Sequence, residues 1–164
     1  MPTPLRIAVC IKQIPAFADL DLDADGLLRR DGVPLEMNPY CRRAVALAAT
    51  LAAGAHGTVT VISMGPPSAQ DAIREALAWC DQHDAPATGV LVSDPALRGS
   101  DTLATAHALR AALDVVGPFD LVLMGRNSVD ADTGQVGPEV AELLGWPFLT
   151  AVKEFSLVDA QVEA

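Results

Sequence analysis

At 164 residues, 51% of them hydrophobic and with a mean hydropathy of +0.29, the chain is long enough for one domain with a real core and too apolar to be disordered. A net charge of −10 and a pI near 4.5 argue against nucleic acid or an anionic membrane surface as a partner. No apolar run approaches the roughly 18–20 residues needed to span a bilayer. The opening MPTPLRIAVCI lacks the cationic region, long apolar core and cleavage site of a signal peptide. Cys10, Cys41 and Cys80 form no CxxC, and an odd number of cysteines suits a reducing compartment. The expectation is a soluble cytoplasmic protein with no membrane insertion.

In chain order, Arg6 to Ile11 (RIAVCI) is a continuous β-branched run, the pattern of a strand covered on both faces. The polar passage Lys12 to Met37 follows, and within it LDLDADGLLRR alternates around Asp25-Gly26, which predicts a small β-hairpin. Asn38-Pro39 opens a helix, with asparagine as N-cap and proline at the next position, and Gly54 ends it. Thr58 to Ser63 is a second strand. Gly65-Pro66-Pro67 turns the chain into a helix reaching about Cys80, for which Ser68 and Asp71 form a capping box. Ile73, Leu77 and Cys80 face inward on that helix. Gly89 to Ser93 is a third strand, and Ser100 caps a helix over Asp101 to Val116 that Gly117-Pro118 stops. Leu121 to Met124 is the fourth strand, a helix runs from Gln135 to Leu144, and Phe148 to Val158 reads as a fifth strand. Strands alternating with helices at this spacing predict an α/β fold, a parallel five-stranded sheet with helices on both faces.

The most informative stretch is Gly125 to Pro138, GRNSVDADTGQVGP. It leaves a buried strand and enters a helix, the place where α/β sheets bind ligands. Connections in compact domains are usually about 2–6 residues, and longer ones are disproportionately functional. Polar groups also follow the other core strands, at Lys12, at Gly65 to Ser68 and at Asp94 to Thr102. Three of the four turns lead into helix N-termini, which favour anions such as phosphate. Four turns converging on one edge suggest a nucleotide.

Neither GxxxxGK[ST] nor a GxGxxG after the first strand is present. His56, His83 and His107 lie in three different segments, none beside a candidate nucleophile, so no catalytic residue is assigned. Asp21, Asp23, Asp25 and Gly26 resemble the opening of a calcium loop, but the twelfth position is Gly32 and not glutamate, so no metal site is assigned. Asp130 and Asp132 could hold Mg²⁺ beside a phosphate, or accept backbone N–H groups in a tight loop; the ease with which aspartate stabilises turns favours the second. Cys41 lies in the first turn of a helix, where a thiol pKa tends to fall, although a packing role is the simpler one. Phe17 and Tyr40 flank polar turns and could stack on a planar ligand or pack in the ordinary way.

Five segments, IAVCIKQIP, EMNPYCRRAVALA, VISMGPPSAQDAIREALA, SDTLATAHAL and GRNSVDADTGQVGPEVAELLGWPFLT, occur in this order and cover most of residues 6 to 150. With them the chain resembles the β subunits of electron transfer flavoproteins. The resemblance implies a single nucleotide-binding domain of adenine-nucleotide α-hydrolase-like, Rossmann-like form over residues 1–164, which lacks the family's C-terminal segment. It implies an α subunit as heterodimer partner, FAD shared with that subunit, and AMP buried in this one. Carried over, the cofactor-binding residues are Cys10, Asn38, Pro39, Tyr40, Cys41, Met64, and the loop Gly125, Arg126, Asn127, Ser128, Val129, Asp130, Ala131, Asp132, Thr133, Gly134, Gln135 and Val136. Phe17 and Tyr40 fall where family aromatics approach the flavin. Some members bifurcate electrons and hold a second FAD in place of AMP; SDTLATA and DADTGQVGP resemble that subset, with Thr102 and Thr105 meeting the second flavin. Ala131 stands where DGDT has glycine, and CDQHDAPATG replaces a shorter turn.

The implied function is that of an electron carrier component, not an enzyme, taking electrons from acyl-CoA or similar dehydrogenases to a quinone-linked acceptor. The alternatives are a stand-alone adenine-nucleotide-binding, stress-type module without flavin, and an adenylate-activating ligase or hydrolase, for which a phosphate-loop lysine or catalytic base is missing.

Overall fold

A computed structural model describes residues 4–16, 21–24, 26, 29, 32–152, 156–158 and 161–163. The elements run β1 (Arg6–Ile11), β2 (Gln13–Pro15), β3 (Leu35–Met37), α1 (Pro39–Gly54), β4 (Thr58–Met64), α2 (Gln70–Asp81), β5 (Ala87–Val92), α3 (Thr102–Val116), β6 (Leu121–Met124), α4 (Val136–Leu144), β7 (Ser156–Val158) and β8 (Gln161–Glu163). The central sheet has the order β5-β4-β1-β6. Every pairing in it is parallel, with Val9 opposite Val61 on one side and Leu123 on the other.

The sheet is doubly wound. β1 alternates between two cores: Ile7, Val9 and Ile11 pack with α1 and α2, while Ala8 and Cys10 pack with α3 and α4. The first core uses the alanine face of α1, in which Ala44, Ala48, Ala49 and Ala52 lie against Ile7, Val59 and Val61. Small side chains let that helix approach the strands closely. The second core is built from Ala106, Leu109, Leu113 and Val140 over Ile62. Because α1 and α2 carry the chain from β1 outward to β4 and β5, and α3 returns it to the far side of β1, strand order reverses between β1 and β6. The carboxyl ends of those two strands bound the crevice in which such sheets bind ligands.

Several expectations need correction. The parallel sheet has four strands, not five. Residues 146–152 form no strand: Trp146, Phe148, Leu149 and Val152 are exposed, and no described strand covers the outer edge of β6. Ser156–Val158 pairs only with Gln161–Glu163, as a separate antiparallel ribbon. An apolar run becomes a strand only where an edge is offered to it. A second antiparallel ribbon, β2 with β3, closes the base of the polar passage. Of the predicted hairpin around Asp25-Gly26, much lies outside the described residues, as does Phe17. The described part shows a turn, with Gly26 at φ 75° and the Arg29 N–H donating to the Asp21 carbonyl at 2.8 Å.

Helix starts also differ. Ser68 and Asp71 make no capping box: a short 3₁₀ turn over Pro67–Ala69 leads into α2 without a side-chain cap, and Asp71 pairs with Arg74 at 2.8 Å. The cap of α3 is Asp101, which accepts from the Ala104 N–H at 2.8 Å, while the Ser100 hydroxyl donates to the Leu97 carbonyl.

Candidate functional site

The loop from Gly125 to Gln135 leaves β6 at the reversal point and is fastened to residues far away in the chain. Asn38 is the centre of that fastening. It is 1% exposed, and its Nδ2 donates to the Asn127 carbonyl at 2.8 Å while its Oδ1 accepts from the Val129 N–H at 3.2 Å. Expected as the N-cap of α1, Asn38 makes no side-chain cap there. Its amide serves the loop, leaving the helix N-terminus open. The second fastening is Lys12, immediately past β1, whose Nζ lies 2.9 Å from both oxygens of Asp130 and 3.3 Å from Ser128 Oγ. The Asp130 side chain is wholly buried and Lys12 is 38% exposed. Breaking such a pair leaves a buried charge uncompensated.

The loop then closes on itself. Ala131 and Asp132 N–H groups both donate to the Ser128 carbonyl, and Asn127 Nδ2 donates to Asp132 Oδ1. The left-handed positions are Asp132 at φ 52° and Gly134 at φ 64°. Ala131 is not among them, so alanine fits where the family motif has glycine, and the strain falls on an aspartate, a residue that tolerates that region. The two aspartates bond the side-chain donors Lys12 and Asn127. Gly125 is required by close approach: a Cβ there would lie 2.9 Å from the Cys41 nitrogen and 2.9 Å from the Tyr40 carbonyl carbon. Strand end and helix start are thus in backbone contact.

Cys41 fills the space between them. Its Sγ accepts from Asn38 Nδ2 at 3.2 Å and from the Lys12 and Gly125 backbone N–H groups. Burial nevertheless pushes its pKa up, against those bonds, so the lowering expected at a helix start does not occur. Cys10, on the other face of β1, is pushed up to about 12, by burial first and by Cys41 second. Both are neutral thiols at physiological pH and neither is an activated nucleophile. Cys80 is fully buried.

The remaining predicted residues are distributed as follows. Pro39 is the exposed first residue of α1. Tyr40 is half-buried, with the guanidiniums of Arg126 and Arg43 at 5.4 Å and 5.7 Å from its ring centre. Met64 ends β4 beside the second core. Thr102 Oγ1 donates to Glu139 Oε1 at 3.0 Å, and Thr105 Oγ1 to the Asp101 carbonyl at 2.7 Å, so both hydroxyls already serve protein acceptors. Glu139 Oε2 is buried without a partner. Thr133 and Gln135 are exposed, and Val136 begins α4, whose N-terminus has no side-chain cap. Lys12, Arg43 and Glu139 were absent from the sequence-derived set. Lys12 was legible as the first polar residue after a buried strand; nothing local marks the other two.

The arrangement is a crevice at the reversal of strand order, floored by neutral sulfur and bounded by two helix N-termini without side-chain caps. It can accept phosphate oxygens on backbone N–H groups. Among the described residues no group of histidine, cysteine or carboxylate side chains has metal-ligand geometry.

The chain is similar to proteins of one family. Residues 25–164 match the electron transfer flavoprotein domain. The electron transfer flavoprotein subunit beta of Clostridium acetobutylicum is 43% identical over 151 residues, 92% of this chain and 56% of that protein. FixA of Azotobacter vinelandii is 42% identical over 159 residues, 94% of this chain and 55% of its own length. The caffeyl-CoA reductase-Etf complex subunit CarD of Acetobacterium woodii is 38% identical over 157 residues, 94% and 58% respectively. The chain spans about half the length of these relatives. Among solved structures, a universal stress protein family member from Burkholderia pseudomallei superposes with a TM-score of 0.51 at 20% identity, over 90% of this chain and 95% of that one, which speaks for the fold alone. No described helix is long and apolar enough to cross a membrane. The chain belongs to the electron transfer flavoprotein family, among its β subunits and FixA proteins.

Proposed function

We propose that this chain is the nucleotide-binding part of an electron transfer flavoprotein β subunit, an electron carrier component that holds an adenine nucleotide in the β1/β6 crevice and, with an α subunit, helps to hold FAD. The observation that supports it most is the fastening of the Gly125–Gln135 loop to Asn38 and Lys12 across the point of strand reversal. A loop tied down by a buried amide and a buried carboxylate is preorganised, and preorganisation lowers the ordering cost of binding. The nucleotide would meet the backbone of that loop and the N-termini of α1 and α4. Tyr40 and Phe17 would face the flavin shared with the α subunit.

The flavin, when bound, supplies the redox chemistry; this chain supplies position, exclusion of water and local charge. Electrons would arrive from acyl-CoA or similar dehydrogenases and leave to a quinone-linked acceptor, in the cytoplasm.

The test is to denature the purified protein, alone and after co-expression with an α subunit, and to identify what is released by chromatography and absorbance. AMP from the single chain with flavin only in the pair supports the carrier. FAD from the chain alone assigns a second flavin to the same crevice. A colourless protein that releases AMP or ATP and never pairs supports the stress-type alternative. No nucleotide from either sample refutes the site.

A further inference from the structure

The two helix starts that bound the crevice differ in charge. α1 has no acidic residue in its first turn, whereas α4 has Glu139. The Glu139 side chain does not cap its own helix. Its Oε1 accepts from the hydroxyl of Thr102, the first residue of α3, at 3.0 Å. Its Oε2 is shut off from solvent with no hydrogen-bond partner. Among the described residues no lysine, arginine or histidine pairs with it. What offsets its charge is one hydroxyl and the dipole of α4. A carboxylate oxygen that water does not reach is weakly screened, so its field extends further than that of a solvated group.

That field falls on the crevice. Gln135, whose carbonyl accepts the Glu139 N–H at 3.1 Å, is the last residue of the loop. The start of α4 lies against the end of β6: a Cβ on Gly137 would stand 3.9 Å from the Met124 sulfur. The first turn of α4 is also poor in donors for an anion, because Pro138 has no N–H and that of Glu139 is taken. Lys12, the cation nearest the loop in the chain's own bonding, is held by Asp130 and leaves Glu139 unbalanced.

We infer that Glu139 determines the specificity of the crevice: held at the start of α4 by Thr102, its carboxylate opposes phosphate charge, so that a nucleoside monophosphate is taken and ATP is disfavoured. This rests on the crevice being a nucleotide site. The loop backbone and the start of α1 offer N–H groups to one phosphate. Each further phosphate adds charge against the same fixed carboxylate, and like charges set against each other reject the wrong ligand.

Calorimetric titration of the full chain with adenosine, AMP and ATP, without added magnesium, tests it. The parent binds AMP about tenfold or more tightly than ATP. Glu139→Gln keeps an acceptor for Thr102 and removes the charge; it raises affinity for ATP about tenfold, for AMP less, and for adenosine not at all. Glu142→Gln removes the same charge from an exposed position further along α4 and leaves all three affinities unchanged. Melting curves matching the parent's show that the variants fold. Should Glu139→Gln fail to fold, Glu139→Met, which fills similar space without charge, is read in the same way. Equal affinity for AMP and ATP in the parent overturns the inference and leaves the nucleotide site standing. So does a Glu139→Gln variant that shifts all three affinities together, since that is the mark of a structural role alone. No binding of any probe to the parent overturns the site and the inference together.

Discussion

The turns after β1 and β6 and the turn after β5 leave the same edge of the sheet with similar polar composition, but their hydrogen bonds go to different places. In the first pair the partners are distant in the chain: Lys12 with Asp130, Asn38 with Asn127 and Val129. In the turn after β5 they are near neighbours up to the helix cap: Asp94 with the Ala96 N–H, Ser100 with the Leu97 carbonyl, Asp101 with the Ala104 N–H. Local bonds satisfy the ends of the turn's own backbone and would do so in any fold. Distant bonds hold two segments in register, and those of Lys12 and Asn38 lie where strand order reverses; the turn after β4 also takes one, from Gln13 Nε2 to the Ser68 carbonyl at 3.0 Å. The crevice is distinguished by where its polar groups find partners, more than by which polar groups it has.

The largest effect should come from the buried amide. Asn38→Ala removes the partner of the Asn127 carbonyl and of the Val129 N–H at a position 1% exposed. Leaving such groups unpaired costs about 1–3 kcal/mol each, so a loss of about 3 kcal/mol in denaturant unfolding is expected, with loss of bound nucleotide. Asn38→Asp should be no better, because it presents an oxygen to the Asn127 carbonyl. If Asn38→Ala unfolds at the parent's midpoint, the loop is held by something else and the contrast between these turns fails.

Asp130→Asn comes next. Its carboxylate is fully buried, but Lys12 is 38% exposed and can rehydrate. The loss should therefore be about 2 kcal/mol, below the roughly 3–5 kcal/mol of a wholly buried pair that loses one member. Nucleotide release on denaturation should fall with it. A stability loss without any change in nucleotide content would separate the fastening from the site.

The same contrast explains what could be read in advance. Strand and helix runs carry their own periodicity, so Arg6–Ile11, Leu121–Met124 and Pro39–Gly54 stand where the spacing put them. The loop was legible as a polar passage between a buried strand and a helix, and its family motif named most of the residues that now meet. What was not legible depended on partners far along the chain. The β2–β3 ribbon joins two three-residue segments, one containing Pro15, too short for any alternation to show. Asn38 reads as a helix cap by residue type, and only the fold shows its amide used elsewhere. The stretch from Phe148 looks like one strand of the main sheet, yet residues 148–152 form none and Ser156–Val158 pairs with Gln161–Glu163. Arg43 is one of two adjacent arginines, and only the structure separates the paired Arg42 from the one over Tyr40.

Asp101→Ala probes the turn after β5. It removes the cap of α3 and should cost about 1 kcal/mol, the usual worth of such a residue. Nucleotide content should not change, because the bond it breaks spans three residues and touches neither the loop nor Asn38. Loss of nucleotide in this variant would mean that the four turns act as one unit.

The smallest effect should be at the opposite edge of the same two strands. Asp120, just before β6, accepts from the Arg6 backbone N–H at 2.8 Å and pairs with its guanidinium at 3.4 Å, clasping the amino ends of β1 and β6. That backbone bond, with the side-chain bond and charge of Arg6, holds the carboxyl below its ordinary value of 3.8. A depressed carboxylate stabilises the fold above the unfolded value, and the contribution is lost as pH falls below 3.8 through the folded value. Both side chains are about two-fifths exposed, 41% and 40%, so water screens the pair and the whole contribution should stay under about 1 kcal/mol. Asp120→Asn keeps an oxygen for the Arg6 N–H and removes only the charge. Its unfolding midpoint should therefore lie slightly below the parent's at pH 7 and meet it once the pH has fallen through the folded value, while nucleotide content stays the same. A gap that persists into acid would assign the effect to the hydrogen bond. A change in nucleotide would show that the two ends of β1 and β6 are coupled through the strands, and the crevice could then no longer be treated as fastened only at its own rim.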